Sequence, residues 1–251
     1  MKYPKISVIT VAYNAADALR RTLESVVRAD YPALETIVID GASTDDTPAV
    51  LREFASAVAY SVSEPDDGIY DAMNKGLKAA TGDYVWFVNA GDTIYDSEVV
   101  RFIFEDEQEW ADVYYGETLI RSEEGKVMGL RKKRLPARMT WKSFFRGMVV
   151  CHQSILVRRE IAPFYDTGYR YAADVEWVLL ALKRARTIVN TRCVLTEFVE
   201  GGASDRHRKE ALKERFRIMR KYFGLLPTVA AHGLFVLDAF RPRYRKLRRR
   251  K

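Results

Sequence analysis

Short runs rich in β-branched residues alternate along the first hundred positions with segments whose apolar residues recur at helical spacing. Residues 6–11 (ISVITV) predict a strand, and Ala18, Leu19, Leu23, Val26 and Val27 then fall on one helix face. The unit repeats: residues 35–40 (ETIVID) predict a strand, 44–55 a helix, 58–62 a short strand, 70–80 a helix and 84–88 a fourth strand. Gly82 stands where a helix stop is expected. Strict alternation of this kind predicts a parallel sheet covered on both faces, with ligands beyond the carboxyl ends of the strands.

Beyond about residue 110 the alternation loosens. Residues 113–122 and 126–130 predict a hairpin around Glu123-Glu124-Gly125, followed by strands over 154–157 and 195–199 and a helix over 175–183. Leu212, Phe216, Met219 and Phe223 lie at helical spacing among many charges, predicting an amphipathic helix that runs to Gly224. No linker or internal repeat divides the 251 residues.

Charge changes the picture at one end only. The formal charge is +7, but Arg241, Arg243, Arg245, Lys246, Arg248, Arg249, Arg250 and Lys251 supply eight positive charges, and removing them leaves −1. Basicity is thus a terminal feature, and no nucleic-acid footprint over the fold is expected. Residues 225–240 (LLPTVAAHGLFVLDAF) are apolar but shorter than a bilayer span and interrupted by Pro227, His232 and Asp238. With the basic cluster behind it, residues 225–251 read as an interfacial anchor on an anionic membrane, the rival readings being a helix packed on the domain and an RNA-binding tail. Cys151 and Cys193 form no CxxC pair and the three histidines no HExxH motif, which argues for a reducing compartment and leaves carboxylates and phosphate oxygens to hold any metal. No export signal is visible, so a cytoplasmic setting is expected.

Four polar clusters terminate the predicted strands: Tyr13-Asn14, Asp40-Gly41-Ala42-Ser43, Glu64-Pro65-Asp66-Asp67-Gly68 and Asn89-Ala90-Gly91-Asp92. A carboxylate just past a buried strand can accept from a base or ribose, and one near a diphosphate can hold a divalent ion. Helix capping is the structural alternative, strongest for residues 43–46. Neither GxGxxG nor GxxxxGK[ST] occurs, which excludes the nicotinamide and P-loop readings.

The blocks ISVITVAYN, TIVIDGASTDDT and SEPDDGIYDAMNKGLKAATGDYVWFVNAGD, with CHQSILVRRE, YAADVEWVLLAL and EGGAS further on, resemble family 2 inverting glycosyltransferases, most of all those that assemble bacterial exopolysaccharide, colanic acid and O-antigen. The resemblance covers residues 5–95 closely and 150–204 more weakly. It implies the GT-A fold, a Rossmann-like α/β architecture with a mixed sheet flanked by helices. Residues 1–204 would form the catalytic domain (1–99 for the nucleotide-sugar, 100–204 for the acceptor), and 205–251 a helical, basic membrane tail.

It further implies that Tyr13 and Asn14 border the nucleotide pocket, that Asp40 accepts from the base and that Asp67 lines the same pocket. Asn74 and Lys75 would lie near the donor, although Asp71, Asn74 and Lys75 at three-and-four spacing also describe a solvated helix face. The family's Asp-x-Asp metal motif is here Asn89-Ala90-Gly91-Asp92, leaving Asp92 as its one anionic ligand for Mn²⁺ or Mg²⁺ and Asn89 as a neutral oxygen. Asp174 matches the catalytic base, with an N-cap as its structural alternative and Glu176 as a possible substitute. His152 and Gln153 match the element that approaches donor or acceptor. The expected reaction moves a sugar with inversion from a UDP- or GDP-sugar to a lipid-linked saccharide at the inner face of the plasma membrane. A catalytically weak nucleotide-sugar-binding scaffold is the alternative that the depleted metal motif suggests.

Overall fold

The computed structural model describes residues 3–105, 109–201, 206–238 and 244–245. The expected alternation is present: β1 (Ile6–Ala12), α1 (Ala16–Val27), β2 (Leu34–Asp40), α2 (Thr47–Glu53), β3 (Tyr60–Ser63), α3 (Ile69–Ala79) and β4 (Tyr84–Phe87). These strands lie parallel in the order β3-β2-β1-β4. The register aligns Ala12 with Asp40 and Asp40 with Ser63, so the polar clusters that follow β1, β2 and β3 share one edge.

The second half makes the sheet mixed. After β5 (Thr93–Ile94) and α4 (Val99–Phe104), the hairpin β6 (Val113–Arg121) and β7 (Val127–Arg131) runs antiparallel, and β8 (Ile155–Arg158) lies antiparallel between β4 and β6. β9 (Ile188–Val199) begins seven residues before the predicted strand, because its first part pairs parallel with Val113–Tyr115. Its far end pairs with β5, Thr93 opposite Glu197. α5 (Ala173–Arg184), α6 (Arg208–Phe223) and α7 (Leu225–Asp238) follow, and β10 (Tyr244–Arg245) pairs with β7.

Alternation within the central strands fills both faces, as period-two geometry requires. Ile9, Phe87 and Val157 point into the core beneath α3 and α5, with Trp177 and Leu179. Val8, Trp86 and Leu156 point to the other, with Tyr114, Ile103 and Phe104. Ile218 of α6 belongs to the first core, so the inner face of this helix closes the globular body while most of its charges face outward.

Two glycines permit close approach. A Cβ at Gly76 would lie 2.4 Å from Ile9 Cγ2, where α3 crosses β1. Gly82 is not the helix stop that its position suggests: α3 gives way to an extended Ala80, and a Cβ at Gly82 would lie 2.7 Å from Lys5 O and 2.8 Å from Ser7 N. Beneath this crossing Glu35 accepts from Lys5 Nζ at 2.6 Å, Thr81 Oγ1 at 2.6 Å, the Thr81 amide at 2.9 Å and the Ser7 hydroxyl. Burial opposes its charge, but those hydrogen bonds prevail and lower its pKa to about 2.

Candidate active site

The loop after β1 meets the loop after β2. Asn14 takes a left-handed conformation (φ 46°), which asparagine tolerates better than most residues. Its amide donates to Ser43 Oγ at 2.7 Å and its Oδ1 accepts from the Thr44 amide at 2.8 Å. Ser43 in turn donates to buried Asp40, whose Oδ2 also accepts from Ser63 Oγ at 2.5 Å. Residues 43–46 therefore mostly brace the two loops rather than cap α2: Asp46, the capping position, makes no side-chain cap bond. Asp45 does both, accepting from Thr47 N at 2.9 Å and from Ala16 N at 3.2 Å.

Tyr13 is 66% exposed at this rim, and the Asp66 carboxylate lies with it over Gly41. A Cβ at Gly41 would lie 2.5 Å from Asp66 Oδ2 and 3.3 Å from Tyr13 Cδ2, so only a glycine fits under that carboxylate as it stands. Asp66 is held by an Asx turn, Gly68 N to Oδ1 at 2.9 Å, a signal readable from the Asp-x-Gly spacing. Asp67 is exposed. Lys75 pins this loop, donating to Pro65 O at 2.7 Å and pairing with Glu64 at 2.9 Å. Asn74 faces elsewhere and brackets the backbone of Tyr165, with Nδ2 to O at 3.0 Å and N to Oδ1 at 2.8 Å. Both act on the scaffold around the pocket.

Beyond β4, the turn holding Asn89 and Asp92 is fixed from α1. Thr22 Oγ1 donates to Asp92 O at 2.7 Å and accepts from Gly91 N at 3.0 Å. Asp92 is buried, with Oδ2 accepting from Gln153 Nε2 at 2.9 Å. Desolvation raises its pKa to about 7, against the hydrogen bonds from Gln153 and Val199. Asn89 Oδ1 is buried in the same turn without a hydrogen-bond partner. An orphan oxygen beside a carboxylate that burial makes costly to ionise suits a divalent cation, which would satisfy both. Among the described residues no cluster of three or more His, Cys, Asp or Glu could hold a metal alone, so the remaining ligands would have to be diphosphate and water.

A contact chain leads from this corner to Asp174. His152, next to Gln153, is buried among Phe87, Trp177 and Tyr165 at ring distances of 5.1–5.7 Å, and its Nε2 meets the Tyr165 hydroxyl at 2.5 Å. Desolvation lowers its pKa to about 3, so the ring is neutral and structural at ordinary pH. Tyr165 stacks on Tyr70 at 5.5 Å, and the Tyr70 hydroxyl reaches Asp174 Oδ1 at 3.4 Å. Asp174 is the second residue of α5 and not its cap, which is Ala172. Burial raises its pKa, opposed by the positive charges of Arg215 and Arg131 and by hydrogen bonds from Val175 and Tyr70. Glu176 accepts from Lys221 Nζ at 2.8 Å and Tyr222 OH at 2.9 Å, fastening α5 to α6. Tyr70, Tyr165, Arg131 and Arg215 carry no local sequence signal for this site; the topology alone gathers them.

The sequence pattern of glycosyl transferase family 2 matches residues 7–163. The chain belongs to glycosyl transferase family 2. As a family member it is similar to an uncharacterized glycosyltransferase of Mycobacterium tuberculosis, 35% identical over 218 residues that cover 83% of this chain and 80% of the relative. It is also 33% identical over 184 residues to a PGL/p-HBAD biosynthesis glycosyltransferase of Mycobacterium bovis, covering 69% and 68% of the two chains. Its GT-A fold is that of S. aureus TarS residues 1–349, with TM-score 0.69 and 19% identity over 93% of this chain and 73% of that one. Mannosyltransferase PcManGT from Pyrobaculum calidifontis, solved with GDP-Man and Mn²⁺, matches with TM-score 0.61 and 18% identity over 96% and 77%. Family and fold are those expected of a glycosyltransferase, and the enzyme class is transferase.

Proposed function

We propose that this transferase moves a sugar, with inversion, from a UDP- or GDP-sugar to a lipid-linked saccharide during assembly of a bacterial cell-surface polysaccharide. The observation that carries the reading is Asp174: a half-buried carboxylate at the start of a helix, with a raised pKa, joined through Tyr70, Tyr165, His152 and Gln153 to Asp92. TarS has been solved with UDP-GlcNAc and PcManGT with GDP-Man, which supports a nucleotide-sugar donor.

In this reading Tyr13, Asn14, Asp40 and Asp66 hold the nucleoside end, with the exposed Tyr13 ring offered to the base. Asp174 takes the proton of the acceptor hydroxyl as its oxygen bonds to the anomeric carbon; the opposite bond to the nucleoside diphosphate breaks, and that group leaves with the electron pair. Asp92 and Asn89 would hold Mn²⁺ or Mg²⁺, which neutralises charge on the departing diphosphate. Residues 1–204 do the chemistry, and 205–251 attach the enzyme to the inner face of the plasma membrane.

The test is release of nucleoside diphosphate from a panel of UDP- and GDP-sugars with bacterial lipid extract, with and without Mn²⁺ or Mg²⁺. Metal-dependent release with one donor, lost in Asp174→Asn, is the expected result. Donor binding without turnover, with authentic lipid-linked acceptors supplied, would instead favour the scaffold reading.

A further inference from the structure

The outward face of α6 carries Lys209, Lys213, Arg217 and Arg220 at four- and three-residue steps, all exposed and along one side of the helix. Among the described residues none of these four lies within ion-pair distance of a carboxylate. Glu210 is the one acidic residue exposed on this helix, and Glu214 is turned inward. Glu214 accepts the amides of Arg170, Tyr171 and Ala172 at 2.8–2.9 Å, directly ahead of α5.

At the carboxyl end of the stripe, Arg217, Arg220 and Lys221 line a cleft of about 340 Å³ with Tyr169. Arg217 lies over the Tyr169 ring at 5.3 Å, and Lys221 spends part of its charge on Glu176 at 2.8 Å. Arg220 faces the cleft with no carboxylate opposite it among the described residues. Immediately beyond, Gly224 turns the chain at φ 85° into α7. Leu225, Leu226 and Val229 stand exposed there at 52%, 82% and 54%, while Thr228 and Ala231 face inward. No Asp, Glu, Lys or Arg occurs between Leu225 and Leu237. No helix among the described residues is long and apolar enough to cross a membrane.

A row of cations without ion-pair partners among the described residues, ending in an open basic hollow and adjoining exposed leucines, matches the surface of an anionic bilayer: phosphate for the hollow, acyl chain for the leucines. We infer that α6, through Lys209, Lys213, Arg217 and Arg220, is a membrane-contact face whose Tyr169–Arg217–Arg220–Lys221 cleft seats the phosphate of an anionic lipid headgroup. This rests on the membrane-attachment reading of residues 205–251, but assigns the contact to the folded body in place of the terminal arginines alone. It also gives the contact a purpose. Through Glu214 and Arg215 the same helix supports the loop and the carboxylate at the start of α5, so contact of α6 with the bilayer would set the element bearing Asp174 close to the membrane surface.

The experiment is flotation of the full-length chain with phosphatidylglycerol/phosphatidylcholine vesicles and with phosphatidylcholine alone, beside calorimetric titration with inorganic phosphate. The variants are Lys213→Gln/Arg217→Gln/Arg220→Gln, made in surface positions, and Arg248→Gln/Arg249→Gln/Arg250→Gln; circular dichroism confirms that each is folded. The α6 variant is expected to lose affinity for anionic vesicles by about a hundredfold, at roughly tenfold or less per cation removed. Wild-type affinity in the α6 variant, with loss in the terminal one, would overturn the α6 face and leave the membrane reading standing. No binding of the wild type to either vesicle would remove both. Phosphate bound through Arg217 and Arg220 without vesicle binding would make the cleft a site for a soluble anion and overturn the lipid assignment.

Discussion

Gln153 donates its Nε2 to Asp92 Oδ2 at 2.9 Å, across the gap between a short turn before β8 and the loop after β4. The amide orients the one carboxylate of the depleted metal motif, which on the proposed reading would meet the cation. Outer partners of metal ligands typically contribute 10–100-fold to metal affinity or activity. Gln153→Ala should therefore raise the Mn²⁺ concentration needed for half-maximal donor turnover by about tenfold, with full activity regained at saturating metal; titration of activity against Mn²⁺ checks it.

Asp174→Asn should lower kcat by about 10²–10⁴ while donor affinity, measured by calorimetry, stays within about twofold. The pH profile tests the environment as well. On the proposed reading the ionised carboxylate is the base, so activity should fall as pH drops through its raised pKa. Arg215 and Tyr70 both favour the ionised form. Arg215→Gln and Tyr70→Phe should each move the acid limb of kcat to higher pH, and a limb that does not move would exclude Asp174 as the titrating group.

Gly41→Ala should leave the melting temperature nearly unchanged and raise the donor KM by about tenfold. The new methyl meets the end of the Asp66 side chain, which can swing away without disturbing the fold but then leaves the nucleoside rim. Initial rates against donor concentration, set beside a thermal melt, separate the two effects.

Glu35→Gln should cost about 3 kcal/mol of stability at neutral pH, because the folded carboxyl titrates near 2 against an ordinary value of 4.5. The sign follows from the depressed folded pKa. The contribution is whole above about pH 4.5 and is lost as pH falls toward 2, so urea midpoints of wild type and variant should converge in that window.

The parallel half of the sheet is legible because each strand buries both faces and each helix shows its period, and the polar clusters after them are marked by strand ends alone. Asp40, Asp92 and Asp174 stand out on local pattern and family resemblance. Local pattern does not say that Asp66 lies with Tyr13 over Gly41, since that placement depends on an Asx turn set against a residue 25 positions away. Nor does it show that Asn74, Lys75 and Glu176 spend their hydrogen bonds on Tyr165, Pro65 and α6. Those contacts join residues far apart in sequence, as do the aromatic stack over Asp174 and the early start of β9, whose first residues gain a strand conformation only by pairing with β6.

The pairing of Thr93 with Glu197 ties the turn holding Asp92 to a strand made much later in synthesis. The turn holding Asp92 is made early, but its neighbours Gln153 and Val199 emerge from the ribosome much later. The cores on both faces of β1 and β4 are likewise completed by later residues, Trp177 and Ile218 on one side and Tyr114 and Leu156 on the other. A chain cut short before β8 would therefore lack both the partners of Asp92 and the packing that holds its turn in place.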